Sequence, residues 1–165
     1  MKKYIPIIIC TVLALCWTGF IWSNSAKTGE ESGEASSQVY EVVNEVAQSI
    51  GIQEPISERT IRKGAHLTEY MVLGLIVCTD MVFISSLFRS GSLKIRALSL
   101  CLAIPFSAVI ALIDEFAIQM NTVGRGPSFT DVLIDISGAA LGLVFVLCGF
   151  LVAVYALRKR KKIHN

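Results

Sequence analysis

The chain has 165 residues, of which 53% are hydrophobic, and a formal net charge of +2. Its mean hydropathy of +0.62 is too high for a soluble domain of this size, in which about 45–50% of the residues are apolar. The composition therefore excludes an ordinary soluble enzyme. It favours one small integral-membrane domain spanning residues 1–165, because nothing outside the apolar segments could build a separate core.

Four apolar segments are long enough to cross a membrane as helices, which takes about 18 or more apolar residues. They cover residues 5–22, 67–88, 97–113 continuing towards 120, and 132–157. With their polar ends included, we expect transmembrane helices over about 5–22, 65–88, 97–119 and 131–157. The first segment is longer than the apolar region of most signal peptides, so an uncleaved span is favoured. The predicted fold class is an all-α integral membrane four-helix bundle.

Basic residues are concentrated in three segments that contain no acidic residue. These are Lys2 with Lys3, the 89–96 loop with Arg89, Lys94 and Arg96, and the tail 158–165. Short cytoplasmic loops are enriched in Lys and Arg. Both termini and the 89–96 loop are therefore expected in the cytosol, with residues 23–63 and 120–130 outside. The basic tail is interpreted as a topology signal and lipid anchor rather than a nucleic-acid site.

The external segment 23–60 divides into two predicted parts. Residues 23–37 are rich in Ser and Gly, which is typical of a flexible exposed loop. Residues of about 37–50 show apolar positions at helical spacing, which predicts a short extracytoplasmic amphipathic helix. Ser36 or Ser37 could cap its start, and Gly51 could end it. The helix either lies at the membrane interface or covers the bundle.

The second span opens with several ionisable residues. Ser57 is positioned to cap a helix that begins near Glu58. Arg62, His66 and Tyr70 then share one helical face, because positions four apart lie above one another. Cations at a helix N-terminus oppose the macrodipole, so an anionic partner or ligand is expected nearby.

The third span ends and the fourth begins with acidic residues. Asp114 and Glu115 would point about 100° apart on a regular α-helix, so they are not expected to flank one bond. Ser128 or Thr130 could cap the fourth span. On that span Asp131, Asp135, Gly138 and Gly142 share a face, and the two glycines form a small-xxx-small pair that permits close helix approach.

Three sets of residues resemble the motifs of a known family. They are Phe20-Ile21-Trp22-Ser23-Asn24-Ser25 with Ser36-Ser37; Arg62-Lys63-Gly64-Ala65-His66 with Glu69-Tyr70; and Asp114-Glu115 with Gln119, Gly124-Arg125, Ser128, Asp131, Asp135 and Gly138. Their order and spacing resemble the VanZ-like membrane proteins over nearly the whole chain. One departure is Asp135, where that family commonly has Asn. The family is named for a protein of teicoplanin resistance, which implies a contribution to glycopeptide resistance.

Charged groups within membrane segments are costly, and several together predict a functional site. The candidate catalytic residues are His66, Glu69, Asp114 and Glu115. The candidate ligand-binding residues are Arg62, Lys63, Tyr70, Gln119, Arg125, Ser128, Asp131 and Asp135. His66 is the predicted general acid or base, since its unperturbed pKa lies near neutrality. We expect these charges to surround one outward-facing cavity, with Arg125 forming a bidentate pair with Asp114, Glu115 or Asp131.

Two functional hypotheses and one structural alternative remain open at this stage, whereas four spans without an internal repeat give a transporter little support. The protein could be an enzyme of the outer leaflet that acts on a phospholipid or polyprenyl-linked precursor. It could instead bind a lipid, lipopeptide or lipoglycopeptide without turnover, or its charges could form a purely structural ion-pair network. The expected partners are membrane lipids and a lipid-linked or lipoglycopeptide ligand, with no nucleic acid. No cofactor and no metal are expected, and the five cysteines lie within apolar spans without metal-ligand spacing.

Overall fold

The described part of the chain is helical. A computed structural model describes residues 3–87 and 100–163. Its helices are α1 (Ile5–Ser25), α2 (Gly29–Ser49), α3 (Glu58–Leu87), α4 (Ala103–Ile113) and α5 (Phe129–Ile163). α4 continues through a π-helical turn (Asp114–Ile118) and a 3-10 turn (Gln119–Asn121). The predicted all-α class is confirmed.

Four helical segments are long and apolar enough to cross a membrane. They are Ile5–Ser25, Glu58–Leu87, Ala103–Asn121 and Phe129–Val152. This finding confirms a multi-pass membrane bundle. Several parts of the sequence-based topology lie outside the described residues: Lys2, the loop with Arg89, Lys94 and Arg96, the predicted span ends at 88 and 97–99, and residues 164–165.

Close contact between α3 and α5 organises the bundle. A Cβ atom added at Gly138 would collide with the backbone carbonyl of Leu67, and one added at Gly142 would collide with that of Met71. The predicted role of the glycine pair is confirmed. Because the backbones touch here, the face of α5 that carries its aspartates is held against α3.

The segment between α1 and α3 differs from the sequence prediction. The loop expected over 23–37 is wrong, because α1 extends to Ser25 and α2 already begins at Gly29. The reason is a capping box. The Thr28 hydroxyl accepts a hydrogen bond from the Glu31 backbone N–H at 3.2 Å, and the Glu31 carboxylate accepts one from the Thr28 N–H at 2.9 Å. Neither Ser36 nor Ser37 caps the helix, whereas Gly51, with φ +93°, follows its end as predicted.

α2 covers α3 with one face and leaves an apolar face exposed. Asn44 and Ala47 are buried, and the Asn44 side-chain oxygen accepts a hydrogen bond from the Ile56 N–H at 2.7 Å. Val42 and Val46 are exposed on the other side. α2 therefore covers the bundle, and its exposed valines leave the predicted contact with the membrane interface open.

Candidate functional site

Helix α3 begins at Glu58, as the sequence predicts. The Ser57 hydroxyl accepts a hydrogen bond from the Thr60 N–H at 3.2 Å, which caps the helix at Glu58. Two turns further on, Glu69 accepts a hydrogen bond from the Asn24 side-chain amide at 2.9 Å. The indole N–H of Trp17 donates to the Glu69 backbone carbonyl at 2.8 Å. These bonds tie the end of α1 to the polar face of α3.

The π-helical turn brings the acidic residues of α4 to one donor. The Nε2 atom of Gln119 donates to Asp114 Oδ2 at 3.1 Å and also to Glu115 Oε1. Both carboxylates reach this one amide, and the π turn helps because it is wider than an α turn and so reduces the angle between consecutive side chains. The expectation that the two acids do not flank one bond stays a prediction. Ser25 Oγ also donates to Asp114 Oδ2 at 2.8 Å, and the Ser128 N–H donates to Glu115 Oε2 at 2.9 Å.

Asp135 is the least satisfied carboxylate of this group. It is completely buried, and neither of its oxygens has a hydrogen-bond partner among the residues that the structure describes. Its nearest basic atom is His66 Nδ1, at 3.8 Å from Oδ1. Ligand-type atoms of His66, Asp114 and Asp135 all lie within 4.8 Å of one another. Tyr70 is also fully buried, and its hydroxyl has no partner in the described part of the chain.

One ion pair stands at the opening of α5. Lys63 Nζ lies 3.0 Å from Asp131 Oδ1, and the two side chains are 30% and 34% exposed. Ser128, one of the two predicted caps, caps α5 by accepting from the Asp131 N–H at 3.3 Å.

Arg125 does not form the predicted carboxylate pair. Its Nη1 donates to the Ser25 carbonyl at 3.2 Å and to Gln119 Oε1 at 3.3 Å, and no carboxylate of the described residues lies within 4 Å of it. The prediction was wrong because the Gln119 amide separates the two groups. That amide donates to Asp114 and Glu115 and accepts from Arg125. Partial burial lowers the pKa of Arg125, and the positive charge of Arg62 lowers it further.

Two neighbouring cavities open at this end of the bundle. The first has a volume of about 200 Å³ and is lined mainly by basic and polar residues: Arg59, Arg62, Lys63, His66, Gln119, Arg125 and Asp131. The second, of about 280 Å³, is lined by residues that include Asn24, Lys27, Arg62, His66, Glu69 and Arg125. The single cavity predicted from the sequence is thus two cavities that share Arg62, His66 and Arg125. Asp114, Glu115 and Asp135 line neither and are buried in the helix interfaces.

Sequence reasoning missed the contribution of α1. Asn24 and Ser25 hold Glu69 and Asp114, yet neither was nominated as a site residue. The signal was present, since both belong to the first of the motifs described above. Arg59 and Lys27, which line the cavities, were likewise not nominated.

A family model described as VanZ/LLP1 matches residues 10–155. The chain belongs to the VanZ/LLP1 family. The match covers most of α1, all of α2 to α4 and most of α5, and therefore all of the predicted site residues in this VanZ/LLP1 protein. No curated protein and no solved structure matches the chain.

Proposed function

We propose that this VanZ/LLP1 protein binds the anionic headgroup of a lipid-linked cell-envelope ligand at the outer face of the bacterial cell membrane. One observation carries the proposal. Arg62 and Arg125 line both cavities, and neither has a carboxylate within 4 Å among the described residues. The positive charge of Arg62 lowers the pKa of Arg125, although Asp114, Glu115 and Glu69 act in the opposite direction. A phosphate or carboxylate between the two guanidinium groups would relieve this repulsion.

The position of the cavities supports a ligand that is anchored in the membrane. They open where α1 ends and α3 and α5 begin, close to the ends of three candidate spans. The Lys/Arg distribution along the chain favours the outer side for these ends. A headgroup could enter there while its acyl or polyprenyl chain stayed in the bilayer.

The proposal competes with a purely structural network of ion pairs. In such a network each cation would be neutralised by an acid. Only Lys63 follows this pattern among the described lysines and arginines, through its pair with Asp131. Arg125 instead contacts neutral oxygens, which favours a binding site.

Binding can be tested on the full-length protein in nanodiscs, with a soluble short-chain phosphatidic acid as the probe. Arg62→Gln and Arg125→Gln should each weaken binding by about 10-fold or more, since a hydrogen bond to a charged group contributes about 1.5–3 kcal/mol. Arg125→Lys should also bind poorly, because an ammonium cannot reproduce the guanidinium fork. The matched control is Lys159→Gln, on the exposed end of α5. Equal binding by all of these variants would refute the proposal.

His66→Ala separates a binder from an enzyme. If the protein only binds its ligand, the lipid levels of the cell should be the same with and without His66. If it is an enzyme, its lipid substrate should accumulate when the gene is deleted or His66 is replaced. Lipidomics of deletion, wild-type and His66→Ala strains measures this directly.

A role in resistance predicts that expression raises the teicoplanin concentration needed for inhibition and that Arg62→Gln abolishes the increase. An unchanged inhibitory concentration would remove that part of the proposal.

A further inference from the structure

We infer that His66, Asp114 and Asp135 form a binding site for a divalent transition-metal ion, with Zn²⁺ as the best-suited ion. The site lies behind the cavities, and the inference does not rest on the proposed headgroup binding. The sequence analysis predicted no metal. The three residues come from different helical segments and lack the spacing of a metal-binding motif, so only the structure brings them together.

The geometry of the three side chains supports this assignment. One ligand-type atom from each lies within 4.8 Å of the other two. A tetrahedral Zn²⁺ with ligand distances of about 2.1 Å spaces its ligand atoms about 3.4 Å apart. A small rotation of each side chain towards a common centre would therefore complete three of the four positions.

The unsatisfied atoms point to the same conclusion. Both oxygens of Asp135, Oδ1 of Asp114 and Nδ1 of His66 are buried without a hydrogen-bond partner among the described residues. Asp114 and Asp135 are 0% exposed. Buried polar atoms are normally paired, and a group of unpaired ones calls for a missing partner.

The charge balance favours a cation as that partner. None of the three basic side chains nearby pairs with these carboxylates: Lys63 pairs with Asp131, Arg125 donates to Ser25 and Gln119, and Arg62 has no carboxylate within 4 Å among the described residues. A dication would neutralise the two buried carboxylates, which are otherwise costly to hold in a membrane.

The donor set distinguishes among metals. One imidazole and two carboxylates suit Zn²⁺ or Mn²⁺, whereas Ca²⁺ and Mg²⁺ prefer oxygen ligands alone and Cu(I) prefers sulfur. The second oxygen of Asp114 is held by Ser25 and Gln119, at 2.8 and 3.1 Å. Such outer contacts orient metal ligands.

The test uses the full-length protein in detergent, stripped with a chelator and dialysed against buffered Zn²⁺. We expect one tightly bound Zn²⁺ per chain, measured by plasma mass spectrometry. Asp135→Asn should weaken Zn²⁺ binding by about 100-fold. Replacing a residue that only hydrogen-bonds to a metal ligand already costs about 10–100-fold in affinity, and Asp135 would be a ligand itself. The control is Asp80→Asn, which removes a buried membrane aspartate that is bonded to Thr11 and lies outside the cluster. It should bind Zn²⁺ like the wild type.

Equal Zn²⁺ binding by Asp135→Asn and Asp80→Asn would overturn the inference, as would a folded wild type that retains neither Zn²⁺ nor Mn²⁺. In the latter case protons would neutralise the carboxylates. If Asp135→Asn fails to fold, X-ray absorption of the Zn²⁺-loaded wild type decides. One imidazole with oxygen ligands would support the site, and sulfur ligands or several imidazoles would refute it. Because no lipid probe is used, failure here leaves the headgroup proposal standing.

Discussion

The helices α3 and α5 meet in two different ways along one contact. From Gly138 onward their backbones touch, with Gly142 against Met71 and Gly74 against Ala139. In the preceding two turns of α5, Asp135 faces His66 and Asp131 faces Lys63. The apolar half leaves no room for a side chain, whereas the polar half contains buried atoms without partners.

The difference shows how a membrane protein can hold buried polar groups in place that have no hydrogen-bond partner among its described residues. Asp135 precedes Gly138 by less than one helical turn, so the glycine contact dictates where its carboxylate lies. Close packing of small residues thus provides the stability that the polar half lacks. Three predictions test this division in decreasing order of effect, and a fourth tests a contact outside it.

Gly138→Ala should break the contact. Its added methyl would collide with the Leu67 carbonyl, and separating two packed backbones should lower the free energy of unfolding by about 2–3 kcal/mol. The measurement is unfolding in mixed micelles with increasing dodecyl sulfate, followed by circular dichroism. Gly149→Ala, on the same helix with open space around it, is the control and should be neutral or slightly stabilising. Equal effects of the two changes would contradict a special role for Gly138.

Gln119→Leu should weaken the polar half. It removes the donor that Asp114 and Glu115 share and the acceptor that Arg125 uses. Leaving such groups unpaired costs about 1–3 kcal/mol. Asn121→Leu serves as the control, because that exposed amide bonds only the Ala117 carbonyl. A stability for Gln119→Leu within about 0.5 kcal/mol of the control would show that the network contributes little.

Lys63→Gln should have a smaller effect. The Lys63–Asp131 pair is about one-third exposed, and pairs of this kind contribute less than about 1 kcal/mol. The difference from the wild type should shrink in about 1 M NaCl, which screens exposed charges. A salt-independent loss would show instead that the pair behaves as a buried one.

The capping box of α2, which is not part of the contact of α3 and α5, provides the smallest effect. The Thr28 N–H and hydroxyl bind the Glu31 carboxylate and hold its pKa below the usual range. The resulting stabilisation is complete above the unfolded-state pKa and is lost as the pH falls through the lowered folded pKa. As the pH falls from about 6 to about 3, the backbone amides in the first turn of α2 should lose protection against hydrogen exchange. Protection is measured here as the observed exchange rate relative to the intrinsic rate at the same pH. Glu31→Gln should remove this dependence, and its persistence would assign it to another group.

Much of the fold could be predicted because its signals are local. Length and hydropathy predicted four spans, the hydroxyls of Ser57 and Ser128 predicted two helix starts, and Gly138 with Gly142 predicted close packing. The start of α2 was missed although its capping box is also local. The apolar periodicity that predicts the helix begins only near residue 37, whereas the polar first turns of α2 extend the helix back to Gly29, directly after the Thr28 cap.

Span order and helical period follow from the chain alone, and they are enough to predict which residues lie at the same end of the membrane bundle. The contacts among those side chains depend on the tertiary structure. The π turn joined Asp114 and Glu115 on Gln119, that amide kept Arg125 from the acids, and the α3–α5 contact left Asp135 beside His66 without a partner. The physical reason is that such contacts depend on shifts of a few ångströms between helices. Those shifts result from packing the whole bundle, and no single segment encodes them.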